Sequence, residues 1–92
     1  MVLAKKVSGL RSTAGFPDLV VYEPRGKYAA LFLELKAEDA KVYRVDGTLL
    51  KDEHLQRQYG VLQALEIRGF CARFAVGFDK ARRLIDWYLK MK

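Results

Sequence analysis

The sequence predicts an α/β protein, a single small domain over residues 1–92 with a mixed central sheet flanked by helices. Three observations carry that expectation. Two β-rich runs are separated by a turn holding Pro and Gly, apolar residues at helical spacing follow, and a nearly continuous apolar run leads into a last amphipathic stretch. Strands followed by helix, strand and helix form the order that lays helices on a mixed sheet.

Residues 1–17 read as a short helix or loop. Leu19-Val-Val-Tyr22 and Ala29-Ala-Leu-Phe-Leu-Glu-Leu-Lys36 flank Glu23-Pro-Arg-Gly-Lys27, so the pair reads as a hairpin. Residues 37–51 are polar and contain the turn dipeptide Asp46-Gly47, with Val42-Tyr-Arg-Val45 as a short strand before it. From residue 53 to 68, Leu55, Tyr59, Leu62 and Leu65 recur at helical spacing; Asp52 caps the start and Gly69 ends it. Phe70 to Phe78 has the length and continuity of a buried central strand, after which Asp79 caps a helix whose stripe is Ala81, Leu84, Ile85 and Tyr88.

A chain of 92 residues buries only about 64% of its unfolded surface, which leaves room for one core. With 51% hydrophobic and 30% charged residues it has the composition of a folded domain. No apolar run approaches the ~18 to 20 residues of a spanning helix, and Met1 to Lys6 lacks the apolar stretch of a signal peptide, so neither membrane insertion nor secretion is expected. The lone Cys71 reads as a small buried hydrophobe, and with only His54 beside it in the inventory a structural zinc site is excluded. A reducing, cytoplasmic compartment fits. The 17 Lys and Arg against 11 Asp and Glu give a net charge of +6 and a pI near 9.6, which points to a polyanionic partner. The basic residues gather at the ends: Lys5, Lys6 and Arg11 at one, Lys80, Arg82, Arg83, Lys90 and Lys92 at the other.

Alternation in Leu31-Phe-Leu-Glu-Leu-Lys36 puts Phe32, Glu34 and Lys36 on one face and Leu31, Leu33 and Leu35 on the other. Two opposite charges then leave a strand written for burial, which is costly unless they are paired or hold a metal. An edge strand with a solvated face is the alternative. Asp18 favours the former, because it opens the preceding strand of the hairpin and can aim its carboxylate over the Glu34 side. Hard cations such as Mg²⁺ take few carboxylates and keep several waters, so Asp18, Glu34 and the carbonyl of Leu35 form a plausible open site, in which Lys36 could orient or deprotonate a water. Gln58 falls near the centre of the stripe formed by Leu55, Val61, Leu62 and Leu65. It is either a core glutamine bonded to backbone or a polar group reaching the Lys36 region. His54 reads as a helix-end residue at the rim of that region.

Gly15-Phe-Pro-Asp18, Glu34-Leu-Lys36 and Gln58, followed by Leu62, Leu65 and Gly69-Phe70, resemble the virus-type replication-repair nuclease (VRR-Nuc) domain of the PD-(D/E)XK nuclease superfamily. The match runs from about Gly15 to Leu89. The resemblance implies a restriction-endonuclease-like core and hydrolysis of DNA phosphodiester bonds. It makes Asp18 and Glu34 metal ligands for Mg²⁺, with Mn²⁺ able to substitute, Lys36 the catalytic lysine and Gln58 the motif glutamine. It further implies a structure-selective endonuclease acting at Holliday or other branched junctions, a homodimer, and a role in DNA repair in a bacterial or phage-infected cell. One departure is visible: such domains usually carry an acidic residue on a longer first helix, and residues 1–17 contain no Asp or Glu.

On the last helix Lys80, Arg83, Trp87 and Lys90 fall on one side, a basic face with one large aromatic suited to phosphate contact and base stacking. Trp87 packed into a subunit interface or onto the core is the alternative. The rival to an enzyme is a nucleic-acid-binding module that keeps the nuclease fold without turnover. A sequence-specific restriction-type nuclease ranks last, since this length holds few extra recognition elements.

Overall fold

Short, mostly apolar runs build one four-stranded sheet from β2 (Leu19–Val21), β3 (Leu31–Lys36) and β4 (Cys71–Val76) with the Ala-Lys-Lys strand β1 (Ala4–Lys6) at one edge, lying in the order β1-β2-β3-β4. The computed structural model describes residues 16–92 and the backbone of residues 4–6. β1 and β2 pair antiparallel, as do β2 and β3, whereas β4 runs parallel to β3. The parallel pair needs a crossover, and α1 (Glu53–Ile67) supplies it; α2 (Phe78–Leu89) follows β4.

Side-chain alternation divides the sheet into two buried faces. Val20, Phe32, Ala72 and Phe74 pack with Leu55 and Leu62 of α1 on one face. Val21, Leu31, Leu33, Cys71 and Ala75 pack with Ala81 and Tyr88 of α2 on the other. Burying β3 on both faces explains its unbroken apolar start, since a strand between two helical layers has no solvated side. Tyr88, fully buried, donates its hydroxyl to the Glu23 carbonyl at 2.7 Å, and Arg25 Nε donates to the Leu89 carbonyl at 3.2 Å. These bonds fasten the β2–β3 connection to the end of α2.

The hairpin forms as expected, with the Arg25–Tyr28 bridge closing its turn around Gly26 at φ 55°. The α1 signals also hold. The Asp52 carboxylate accepts from the Leu55 N–H at 3.0 Å, and Gly69 at φ 94° ends the helix while its N–H reaches the Glu66 carbonyl.

Four expectations are corrected. Ala4–Lys6 form an edge strand where a helix or loop was expected; Gly15 and the basic side chains of residues 1–15 lie outside the described residues. Residues 42–45 form no strand, only the isolated bridge Tyr43–Leu49 around the turn at Asp46-Gly47. β4 is apolar yet lies at the end of the described sheet, since helices cover both its faces even where no further strand pairs with it. Finally, Gly77 at φ 85°, not Asp79, precedes the first turn of α2, so the chain turns from strand to helix two residues earlier. A side chain at Gly77 would meet Glu38 and require a disfavoured backbone.

Candidate active site

The antiparallel register that pairs Leu19 with Leu33 sets Asp18, one residue before β2, opposite Glu34. Asp18 is thereby free of the ladder, and its Oδ2 accepts from the Leu35 N–H at 3.1 Å. A strand residue turns its N–H and C=O to the same neighbour. The Leu35 carbonyl therefore faces the side on which Asp18 stands.

Glu34 lies on the inner strand β3 and is 4% exposed, which rejects the solvated-edge alternative. Its Oε1 is buried with no hydrogen-bond partner among the described residues. Burial first, then a hydrogen bond and like charge from Asp18, push its pKa from 4.5 up to about 8 against a smaller opposing pull from Lys36. A carboxyl group is thus held where its charged form is poorly solvated, beside a second carboxyl.

Gln58 is also 4% exposed, and its Oε1 accepts from Lys36 Nζ at 2.5 Å. The glutamine therefore reaches the lysine, not the core backbone. Lys36 also stands 5.8 Å from the centre of the Phe74 ring. Helix α1 and strand β3 together fix the direction of this ammonium group, which lies two residues along the strand from Glu34 on the same face. His54 is exposed in the first turn of α1 and takes no part in these contacts.

An orphaned buried carboxylate oxygen, a second carboxylate and an adjacent backbone carbonyl are the hard oxygen donors that Mg²⁺ or Mn²⁺ takes. Among the described residues no cluster of three or more His, Cys, Asp or Glu side chains forms a closed metal cage. An ion held here would keep open positions for water and phosphate.

Lys80, Arg83 and Trp87 line one hollow of about 340 Å³ together with Leu84 and Arg73. Trp87 is 44% exposed, and the Arg73 guanidinium sits 5.8 Å from its ring centre. Trp87 is thus partly covered and partly open to solvent. Lys90, the exposed C-cap residue of α2, lies beyond that hollow. Arg73 was not singled out from the sequence, although a guanidinium inside the apolar run from residue 70 to 78 is itself out of pattern. Cys71 is buried as expected, and desolvation pushes its thiol up to about 11.

Two carboxyls and a glutamine-held lysine thus meet at one end of a sheet that is antiparallel from β1 to β3 and parallel from β3 to β4. A solved structure described as a VRR_NUC domain protein superimposes with a TM-score of 0.73 at 23% identity, covering 96% of this chain and 68% of the other. The fold is therefore that of a VRR-Nuc domain, as the sequence motifs implied. No family model matches the sequence, and no curated protein matches it. No described helix is long and apolar enough to cross a membrane.

Proposed function

We propose that residues 1–92 act as one VRR-Nuc-like nuclease domain, a divalent-metal-dependent DNA endonuclease that hydrolyses phosphodiester bonds. The observation that carries this reading is the buried, unpartnered Glu34 Oε1 beside Asp18 and within two strand residues of a glutamine-held lysine. A purely structural acid would have both oxygens satisfied, because a buried polar atom left without a hydrogen-bond partner costs about 1 to 3 kcal/mol.

In this reading Asp18, Glu34 and the Leu35 carbonyl hold Mg²⁺. Bound there, the ion supplies Lewis acidity to phosphoryl oxygens and neutralises their charge. Lys36 orients the attacking water and meets the negative charge that develops on the phosphate. Gln58 accepts one of the three ammonium protons, leaving the others directed at the substrate. Lys80 and Arg83 contact phosphates away from the cut, and Lys90 extends that basic end of the chain.

The substrate proposed is branched DNA, including the four-way Holliday junction, and the working species a two-fold homodimer serving DNA repair. Two nicks placed symmetrically on a junction need two centres at fixed separation, which an isologous contact provides. Incubation with labelled duplexes, flaps and four-way junctions in Mg²⁺ or Mn²⁺, then with EDTA, tests the reading. Cleavage of branched substrates that EDTA abolishes is expected. No cleavage of any substrate with either metal would overturn it.

A further inference from the structure

The outer edge of β4, unpaired among the described residues, carries features that the candidate active site does not use. Tyr43 and Tyr59, both substantially exposed, border a hollow of about 510 Å³ whose floor includes Phe74, Glu66 and Arg73. The Tyr43 ring packs edge-on against Phe74 at 6.4 Å, and Phe74 is the ring beside Lys36. This hollow therefore adjoins the candidate active site. Arg73 belongs to it and also to the hollow of Trp87, Lys80 and Arg83, so the two meet around the strand edge.

The edge is available and chemically graded. Parallel pairing directs the Cys71 and Gly77 N–H groups to β3, so the alternating residues Ala72, Phe74 and Val76 turn their backbone groups outward. Glu66 takes the Ala72 N–H at 2.9 Å and pairs with Arg73, while Arg73 donates to the Ala72 carbonyl. That plug blocks a further strand from pairing along this edge. It also engages the charge of Arg73, whose guanidinium lies over the indole at 5.8 Å from the ring centre. Lys80 and Arg83, by contrast, have no ion-pair partner among the described residues, whereas Arg82 pairs with Asp79. Aromatic planes with free cations beyond them suit a ligand with exposed π faces and spaced negative charges.

We propose that the β4 edge is a track for an unpaired nucleic-acid strand leading away from the active site. Bases stack on Tyr43, Tyr59 and the Arg73–Trp87 pair, and phosphates meet Lys80 and Arg83. The track rests on the nuclease reading only for its role in holding a substrate arm. Duplex DNA, whose bases are already stacked, gains nothing from these rings.

Trp87 is the single tryptophan of the chain, so its fluorescence reports the track directly. Titration of a short oligothymidine into the protein in EDTA should give saturable quenching, and Tyr59→Leu and Tyr43→Leu should each weaken binding by about fivefold or more. Tyr59→Phe should bind like the unaltered chain. Arg83→Ala, at an exposed position, should lower the salt dependence of log K by about 0.7. If a leucine variant fails to fold by circular dichroism, the Arg83→Ala salt slope and the competing duplex decide. Unchanged affinity in the folded leucine variants, equal quenching by a fully paired duplex, or a tyrosine substitution that alters the mass of the particle instead of oligonucleotide binding would overturn the track. Oligonucleotide binding without metal-dependent cleavage removes the nuclease reading and keeps the track. Cleavage of paired junctions without oligonucleotide binding does the reverse.

Discussion

Replacing Glu34 by glutamine should make the metal-free protein more stable at alkaline pH while abolishing cleavage. The folded state holds the Glu34 proton up to about pH 8, while the unfolded chain releases it near 4.5. Between those values the native state binds more protons, so this group's contribution is fully present below about pH 4.5 and is lost as pH rises through 8. At about 1.36 kcal/mol per pH unit, the gap caps the cost of ionising Glu34 at about 4 to 5 kcal/mol. Relaxation and water entry reduce the measurable part to about 2 kcal/mol. Glutamine keeps the volume and has no proton to lose. Urea denaturation in EDTA should therefore give nearly equal stabilities at pH 5 and a Glu34→Gln advantage of about 2 kcal/mol at pH 9. Mg²⁺ should restore the unaltered protein, by about 2.7 kcal/mol at a hundredfold excess over Kd, and leave Glu34→Gln unmoved. A variant less stable than the native chain at pH 9 in EDTA would refute the reasoning, as would equal protection of both by Mg²⁺.

Lys36→Ala should lower turnover by about 10²-fold or more with Mg²⁺ affinity retained, and Gln58→Ala should lower it less, both read by single-turnover cleavage. Asp18→Asn should abolish cleavage with circular dichroism and DNA affinity nearly unchanged, because it removes one ligand charge at similar volume; undiminished cutting would remove Asp18 from the site. Light scattering should give the mass of two chains, with junctions cut in preference to linear duplex; the mass of one chain and equal cutting of both would refute the dimer. Tyr88→Phe should cost about 1 to 2 kcal/mol in urea denaturation, because it leaves the Glu23 carbonyl without its donor.

Local patterns were legible wherever the deciding interaction is short in sequence. The α1 cap at Asp52 and its stop at Gly69 depend on contacts within a few residues, and the β2–β3 hairpin depends on one turn. Alternation alone put Glu34 and Lys36 on one face, and the polar intruder at Gln58 marked α1 as the helix that meets them. What the sequence could not decide was whether that strand lay inside the sheet or at its edge. Only the assembled order, with β3 between β2 and β4, converts Glu34 from a solvated carboxylate into a buried one with a raised pKa. The reverse holds for β4, whose apolar run is fully explained by two covering helices, so hydrophobicity could not distinguish a central position from an edge. Arg73 shows the same limit: in sequence it is one charge in an apolar run, and its pairing with Glu66 and its cation–π approach to Trp87 arise only when α1, β4 and α2 converge at that edge. Periodicity specifies which side chains share a face, because that is backbone geometry. Burial, desolvation and the meeting of distant side chains are set by what packs against that face, and that is a property of the whole fold.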